Sequence, residues 1–301
     1  MSTAGVALAL PAPSVARPGF GGALRSEYLK LTRQRAAWLL LGAFPIAYVA
    51  AALVIGLNDP GAHGRISRQP PINSIQVMFG GTFQVASGIV LLLLSARLMG
   101  MEFTSGTVRV LFGRGQSRLH LYLAKITILG AFGLAAFAIY ALATALFTAV
   151  LIWHLAGDLS PLRHVPSVAW ADTAIAGAVL LISMAVCILL GSAAAVLGRS
   201  LAFAASVAMG FFPVDNFGVV VLGLLSRATQ NSGWGKPSAY LLGPSLNVLA
   251  KALQTDHANG VALAPPLVPV DGTHALVVVG VWALAFLLGA MILIRARDVL
   301  E

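Results

Sequence analysis

The chain has 301 residues, 58% of them hydrophobic and only 10% charged, with a mean hydropathy of +0.89. A soluble domain averages roughly 45–50% apolar and about 25% charged residues, so this composition excludes a water-soluble globular fold and makes the bilayer the solvent. The net charge of +9 does not mark a nucleic-acid binder, because Lys and Arg flank apolar runs instead of forming one basic domain.

Residues 1–22 are rich in Ala and Pro, with Pro11, Pro13 and Pro18, and are expected to be a disordered cytoplasmic tail. A cleaved signal peptide fits less well, since a basic n-region is missing. Leu24, Tyr28 and Leu31 then recur at helical spacing, with Arg25, Lys30, Arg33 and Arg35 among them. This pattern predicts an amphipathic helix lying in the headgroup layer, apolar side down. An ordinary basic anchor beside the first span is the plainer alternative.

Crossing about 30 Å of hydrocarbon takes ~20 mainly apolar helical residues. Six runs qualify, at about 38–57, 75–95, 126–156, 173–197, 201–225 and 275–294. Thirteen Lys and Arg fall in the terminal regions, the second loop and the fourth loop, against six in the remaining loops. The positive-inside rule therefore places both termini in the cytoplasm. Residues 23–301 read as one six-span domain.

Gln84 and Ser87 fall in the second span with Gln76 and Thr82, and such a face serves either helix packing or pathway lining. The loop 97–125 is charged and punctuated by glycine. Residues 102–111 are expected to form a short helix with Glu102 in its N-terminal turn, favourable for the helix dipole. Thr104 or Ser105 offers a capping hydroxyl, and Gly113 and Gly115 end the helix. A solvated basic loop is the alternative. Cys187, the one cysteine, lies in an apolar run and reads as a small core residue.

In the fifth span, Pro213 precedes Asp215 and Asn216. A charge near mid-bilayer costs ~2.5–3.5 kcal/mol on insertion scales, and an internal proline kinks a helix. Asp215 thus either lines a wet pathway with Pro213 and Asn216, or is paired structurally. In the external segment 226–273, Gly243-Pro244-Ser245 opens a short helix with Leu246, Leu249 and Leu253 on one face. The six histidines are scattered without metal spacing, and no nucleophile–base pair stands out. No metal site and no enzymatic activity are assigned. No phosphate-binding loop is present, since Gln230 stands where the first glycine before Gly235-Lys236 would have to be.

Glu102, then Gly106-Thr107, Arg109-Val110-Leu111, Ser117-Arg118 and Lys125 resemble the first intracellular loop of ABC-2-type transporter permeases. Glu27 and Lys30 resemble that family's acidic-x-x-Lys start. Gly115-Gln116 departs from it, since a proline is common before the Ser-Arg pair. The resemblance implies an all-α integral membrane fold: six transmembrane helices, an N-terminal interfacial helix, a cytoplasmic coupling helix, and external or re-entrant helices between spans five and six. It implies that Glu102, Gly106, Thr107, Arg109 and Arg118 couple to an ATPase, and that Arg25, Glu27, Lys30 and Arg33 belong to the interfacial helix. It implies two copies of a separate ABC ATPase subunit carrying ATP and Mg, a second permease chain, the same or homologous, and no cofactor on this chain. The expected function is that of a permease of an ABC exporter in a bacterial inner membrane, moving a drug, antimicrobial peptide or lipid-like amphiphile outward. An ion-coupled secondary transporter would need repeats and several intramembrane ionisable groups. A membrane-embedded enzyme would need convergent acid–base groups, so both rivals fit less well.

Overall fold

A computed structural model describes residues 19–38, 71–106, 117–255 and 264–296, together with 42, 46 and 50. The predicted span 38–57, the stretch 107–116 with Thr107 and Arg109, and the tail to residue 18 lie outside or almost wholly outside these residues. Everything described is helix or connection, with no strand among the described residues. Among the described residues, five helices are long and apolar enough to cross a membrane, which makes the chain a multi-pass membrane protein.

The helices are α1 (Phe20–Thr32), α2 (Arg35–Trp38), α3 (Pro71–Thr104), α4 (Arg118–Ala156), α5 (Ser160–Arg163), α6 (Ser167–Gly198), α7 (Leu201–Thr229), α8 (Leu242–Leu253) and α9 (Gly272–Ala296). A 3-10 helix, Ser232–Tyr240, precedes α8. Spans predicted at 75–95, 126–156, 173–197, 201–225 and 275–294 fall within α3, α4, α6, α7 and α9.

The centre of the bundle is the seam between α3 and α6. A side chain at Gly191 would overlap Ser95 Oγ and lie 2.5 Å from the Leu92 carbonyl oxygen. Only glycine lets the two backbones come this close. Ser95, Ala96, Ser192 and Ala195 extend the small-residue contact, and all are nearly or fully buried. Without a hydrophobic drive between helices in lipid, such close approach is a main source of association. Around it Leu91, Leu94, Leu98, Leu129, Met184 and Ile188 form a common core. Phe83 stacks on Tyr140 at a centroid distance of 3.7 Å, and Cys187 is buried in the neighbouring cluster. The outer helices differ: Val214, Phe217 and Leu224 on α7, and Val277, Val281 and Ile292 on α9, face outward.

Arg199, at φ 49°, lets α6 turn directly into α7, where Ser200 Oγ caps the Phe203 N–H at 3.1 Å. The next connection runs into the bundle. After α7 the 3-10 helix packs back against α7, and Leu241 reaches Gly218. Leu242 is buried among Val186, Val279, Phe211 and Trp282, about halfway along α6 and α7. From there α8 returns outward, ending beside Ile175, Val179 and Ala275. Its twelve residues span about 18 Å, so this segment dips deep into the bundle. Leucines 246 and 249 are its buried face.

Candidate functional site

Two polar constructions stand out against this apolar bundle. The first lies at the α1 end. Helix α1 buries Ala23, Glu27 and Leu31, while Tyr28 is exposed. Of the predicted apolar stripe Leu24, Tyr28 and Leu31, only Leu31 lies on this inward face. The cause is Glu27, whose carboxylate has partners inside the protein.

Four side chains from three helices close a ring there. Glu27 accepts from Lys30 Nζ at 2.7 Å through Oε1, and from Lys125 Nζ at 2.6 Å through Oε2. Glu102 Oε1 accepts from Lys30 Nζ at 2.6 Å and from Lys125 Nζ at 2.8 Å. The charges alternate and sum to zero, which is what makes burial tolerable: isolated buried ions would cost several kcal/mol each. Glu27 and Lys125 are 0% and 2% exposed at the side chain, whereas Lys30 keeps 41% open to solvent. Burial pulls the Lys30 ammonium toward deprotonation, but the hydrogen bonds and charges of Glu102 and Glu27 together outweigh it and raise its pKa. The Leu98 carbonyl adds a contact to Lys125 at 3.5 Å.

Glu102 is not in the first turn of a new helix, as the sequence predicts. It sits in the last turn of α3, because nothing from Arg97 to Thr104 breaks the helix and the chain leaves it at Gly106 with φ +67°. The ring thus joins the helix that enters the segment 105–117 to the helix that leaves it, and fastens α1 to both. Arg118, at the start of α4, reaches the Ile294 carbonyl of α9 at 3.5 Å. Arg25 and Arg33 are exposed on α1 and outside the ring. Lys125 is the member that sequence reasoning left as a span flank. Its signal was a cation two turns inside an apolar helix.

The second construction lies midway along α7. Asp215 Oδ2 accepts the Gly243 N–H in the first turn of α8. Helix N-terminal N–H groups lack partners within their own helix, and a carboxyl group matches both the donor and the dipole. Asn216 accepts from Asn247 Nδ2 and donates to the Phe212 carbonyl, both at 2.8 Å. Pro213 is exposed. Gln84 and Ser87 occupy a different seam: Gln84 donates to Ser183 at 3.4 Å and Ser87 is fully buried, both between α3 and α6. Among the described residues, no group of His, Cys, Asp and Glu has the arrangement of a metal site.

Membrane-crossing helices around a small-residue seam, with a charged joint at the mouth of the loop between α3 and α4, define a multi-pass membrane protein. A family model described as ABC-2 family transporter protein matches residues 23–214, more than half of the chain. The chain belongs to that family. No curated protein and no solved structure matches it.

Proposed function

We propose that this chain is the permease of an ATP-driven exporter in a bacterial inner membrane, moving an amphiphile such as a drug, peptide or lipid-like molecule. Two permease chains and two ATPase subunits form the pump, with ATP and Mg held by the ATPases and both termini in the cytoplasm. The segment 105–117 rests on the ATPase through Gly106, Thr107, Arg109 and Arg118. Glu27, Lys30, Glu102 and Lys125 transmit its movement.

The observation that carries this reading is the charged ring. A push on a flexible loop would be absorbed by it. Here both helices flanking the segment, and the helix preceding the first span, share one buried set of charges. Force applied to the segment therefore moves α1, α3 and α4 together. ATP closes the ATPase pair, the corner shifts, and the cavity between permeases opens to the other side.

Arg109→Glu tests this without touching the ring. The variant is expected to insert normally but to lose ATPase co-purification and stimulated hydrolysis. Unchanged co-purification would remove the segment from the interface. Purified chain alone is expected to hydrolyse no ATP.

A further inference from the structure

The tie between α7 and α8 lies beyond residue 214, outside the stretch that matches the family. It joins two helices that are held in different ways. The outer end of α8 is fixed to α6: Asp172 is buried, and it accepts the Thr255 N–H at 3.0 Å and the Gln254 amide at 3.1 Å through its side chain and carbonyl respectively. The inner end is held by α7, the least buried of the five long apolar helices. Pro213 removes one main-chain hydrogen bond from the middle of α7, making that point its natural bend. Asp215 and Asn216 follow the bend within three residues.

The other end of α7 abuts the charged corner. Thr104 Oγ accepts the Leu201 N–H at 3.3 Å, and a Cβ on Gly100 would lie 2.9 Å from Leu201 Cα. Gly100 and Thr104 flank Glu102 on α3. A shift of the corner is thus delivered to the first residue of α7, and α7 yields at Pro213, next to the groups that hold α8.

From this placement we infer that α8 is a latched plug: Asp215 on the Gly243 N–H and Asn216 on Asn247 hold its inner end in the bundle, bending of α7 at Pro213 releases it, and Asp172 remains its pivot. Gly243 fits the role. A side chain there would meet Asn216 Nδ2 at 2.7 Å and Asp215 Oδ2 at 3.0 Å, so any larger residue must push the latch side chains aside. The inference rests on the exporter reading for what drives the release, but not for the latch itself.

The test places a reporter cysteine at buried Leu246, in a Cys187→Ala background, with the chain in proteoliposomes beside its ATPase partner. Labelling by a soluble maleimide reports release of α8. Nucleotide-free parent should label slowly, and Asp215→Ala should label about tenfold faster, the effect of losing one hydrogen bond to an ionisable group. A trapped nucleotide analogue should speed the parent and add little to the variant. Equal nucleotide-free rates for the parent and Asp215→Ala overturn the latch. Faster labelling in Asp215→Ala, with no nucleotide response in any variant, upholds the latch and removes the ATP-driven reading instead. Should Asp215→Ala fail to fold, an Asn216→Cys/Asn247→Cys pair in the same background decides the matter. A short thiol cross-linker should join it about tenfold faster without nucleotide than with it; ready joining at equal rates removes the ATP-driven reading alone, and no joining in either state overturns the latch.

Discussion

The corner at α1 and the tie at Gly243 do the same job with different chemistry. Each fastens a helix that does not itself span the membrane to the spanning helices through a carboxyl group. At the corner, two carboxylates and two ammonium groups cancel, and Lys30 remains in contact with water. Midway along α7, one carboxyl group takes a backbone N–H at a helix start, and a pair of amides completes the contact. Depth explains the contrast. At the edge of the bundle full charges can be matched and partly hydrated, whereas deeper inside the cheapest partner for a polar side chain is a main-chain group that needs one anyway.

The contrast can be broken most forcefully at the corner. Glu102→Lys sets three cations around the remaining Glu27, and Lys125→Met leaves two carboxylates sharing the single cation Lys30. Each is expected to lose about 3–5 kcal/mol of stability, the usual result of breaking a buried pair. The readout is the monodisperse fraction and thermal midpoint in detergent, with Glu27→Leu/Lys125→Leu recovering part of the loss. A Lys125→Met protein as stable as wild type would show that the ring is not buried as described.

Gly191→Val is a control outside both constructions. It drives a branched side chain into Ser95 and the Leu92 carbonyl, and should cost about 1–3 kcal/mol by overpacking. Gly243→Ala should cost less in stability, since its clash falls on movable side chains. It should act locally instead, raising hydrogen exchange in α8 while leaving α3 and α6 protected. Uniform deprotection of all three helices would contradict a local tie.

The smallest effect sharpens the comparison from the wet side of the corner. Lys30→Ala should cost about 1 kcal/mol, because its side chain keeps 41% of its surface open to solvent and its charge is partly screened. Its folded pKa is raised above the ordinary 10.5. The stability it adds is therefore complete below that value and fades as pH rises through the folded pKa. A wild-type thermal midpoint falling faster above pH 10.5 than that of Lys30→Ala checks the sign.

Much of this architecture is legible in the residues. The apolar runs give the spans because length and hydropathy are local properties. Glu27, Lys30, Glu102 and Asp215 also stand out, since charges beside or inside spans demand a reason. What local pattern cannot supply is the partner. Glu27 and Lys125 are separated by 98 positions, and Asp215 from Gly243 by 28. The end of α3 is hard to read because apolar character stops near Ser95, while the helix continues to Thr104 before Gly106 turns it. The depth of α8 was hidden because Leu246, Leu249 and Leu253 give the same stripe on a surface helix as on a buried one. Asp215 held the missing clue, as a carboxyl group at that depth needs a donor.

The spacing within the charged ring also has a consequence for biosynthesis. Glu27 leaves the ribosome 98 residues before Lys125, a delay of about 5–20 s at ordinary synthesis rates. Throughout that interval α1 has its own Lys30 but no second cation. It waits unfastened until Glu102 is made, and until Lys125 emerges only Lys30 can tie it to α3. Closing of the ring therefore marks the moment when about the first two-fifths of the chain is committed, and a nascent chain arrested before Lys125 emerges would leave α1 tied to α3 alone.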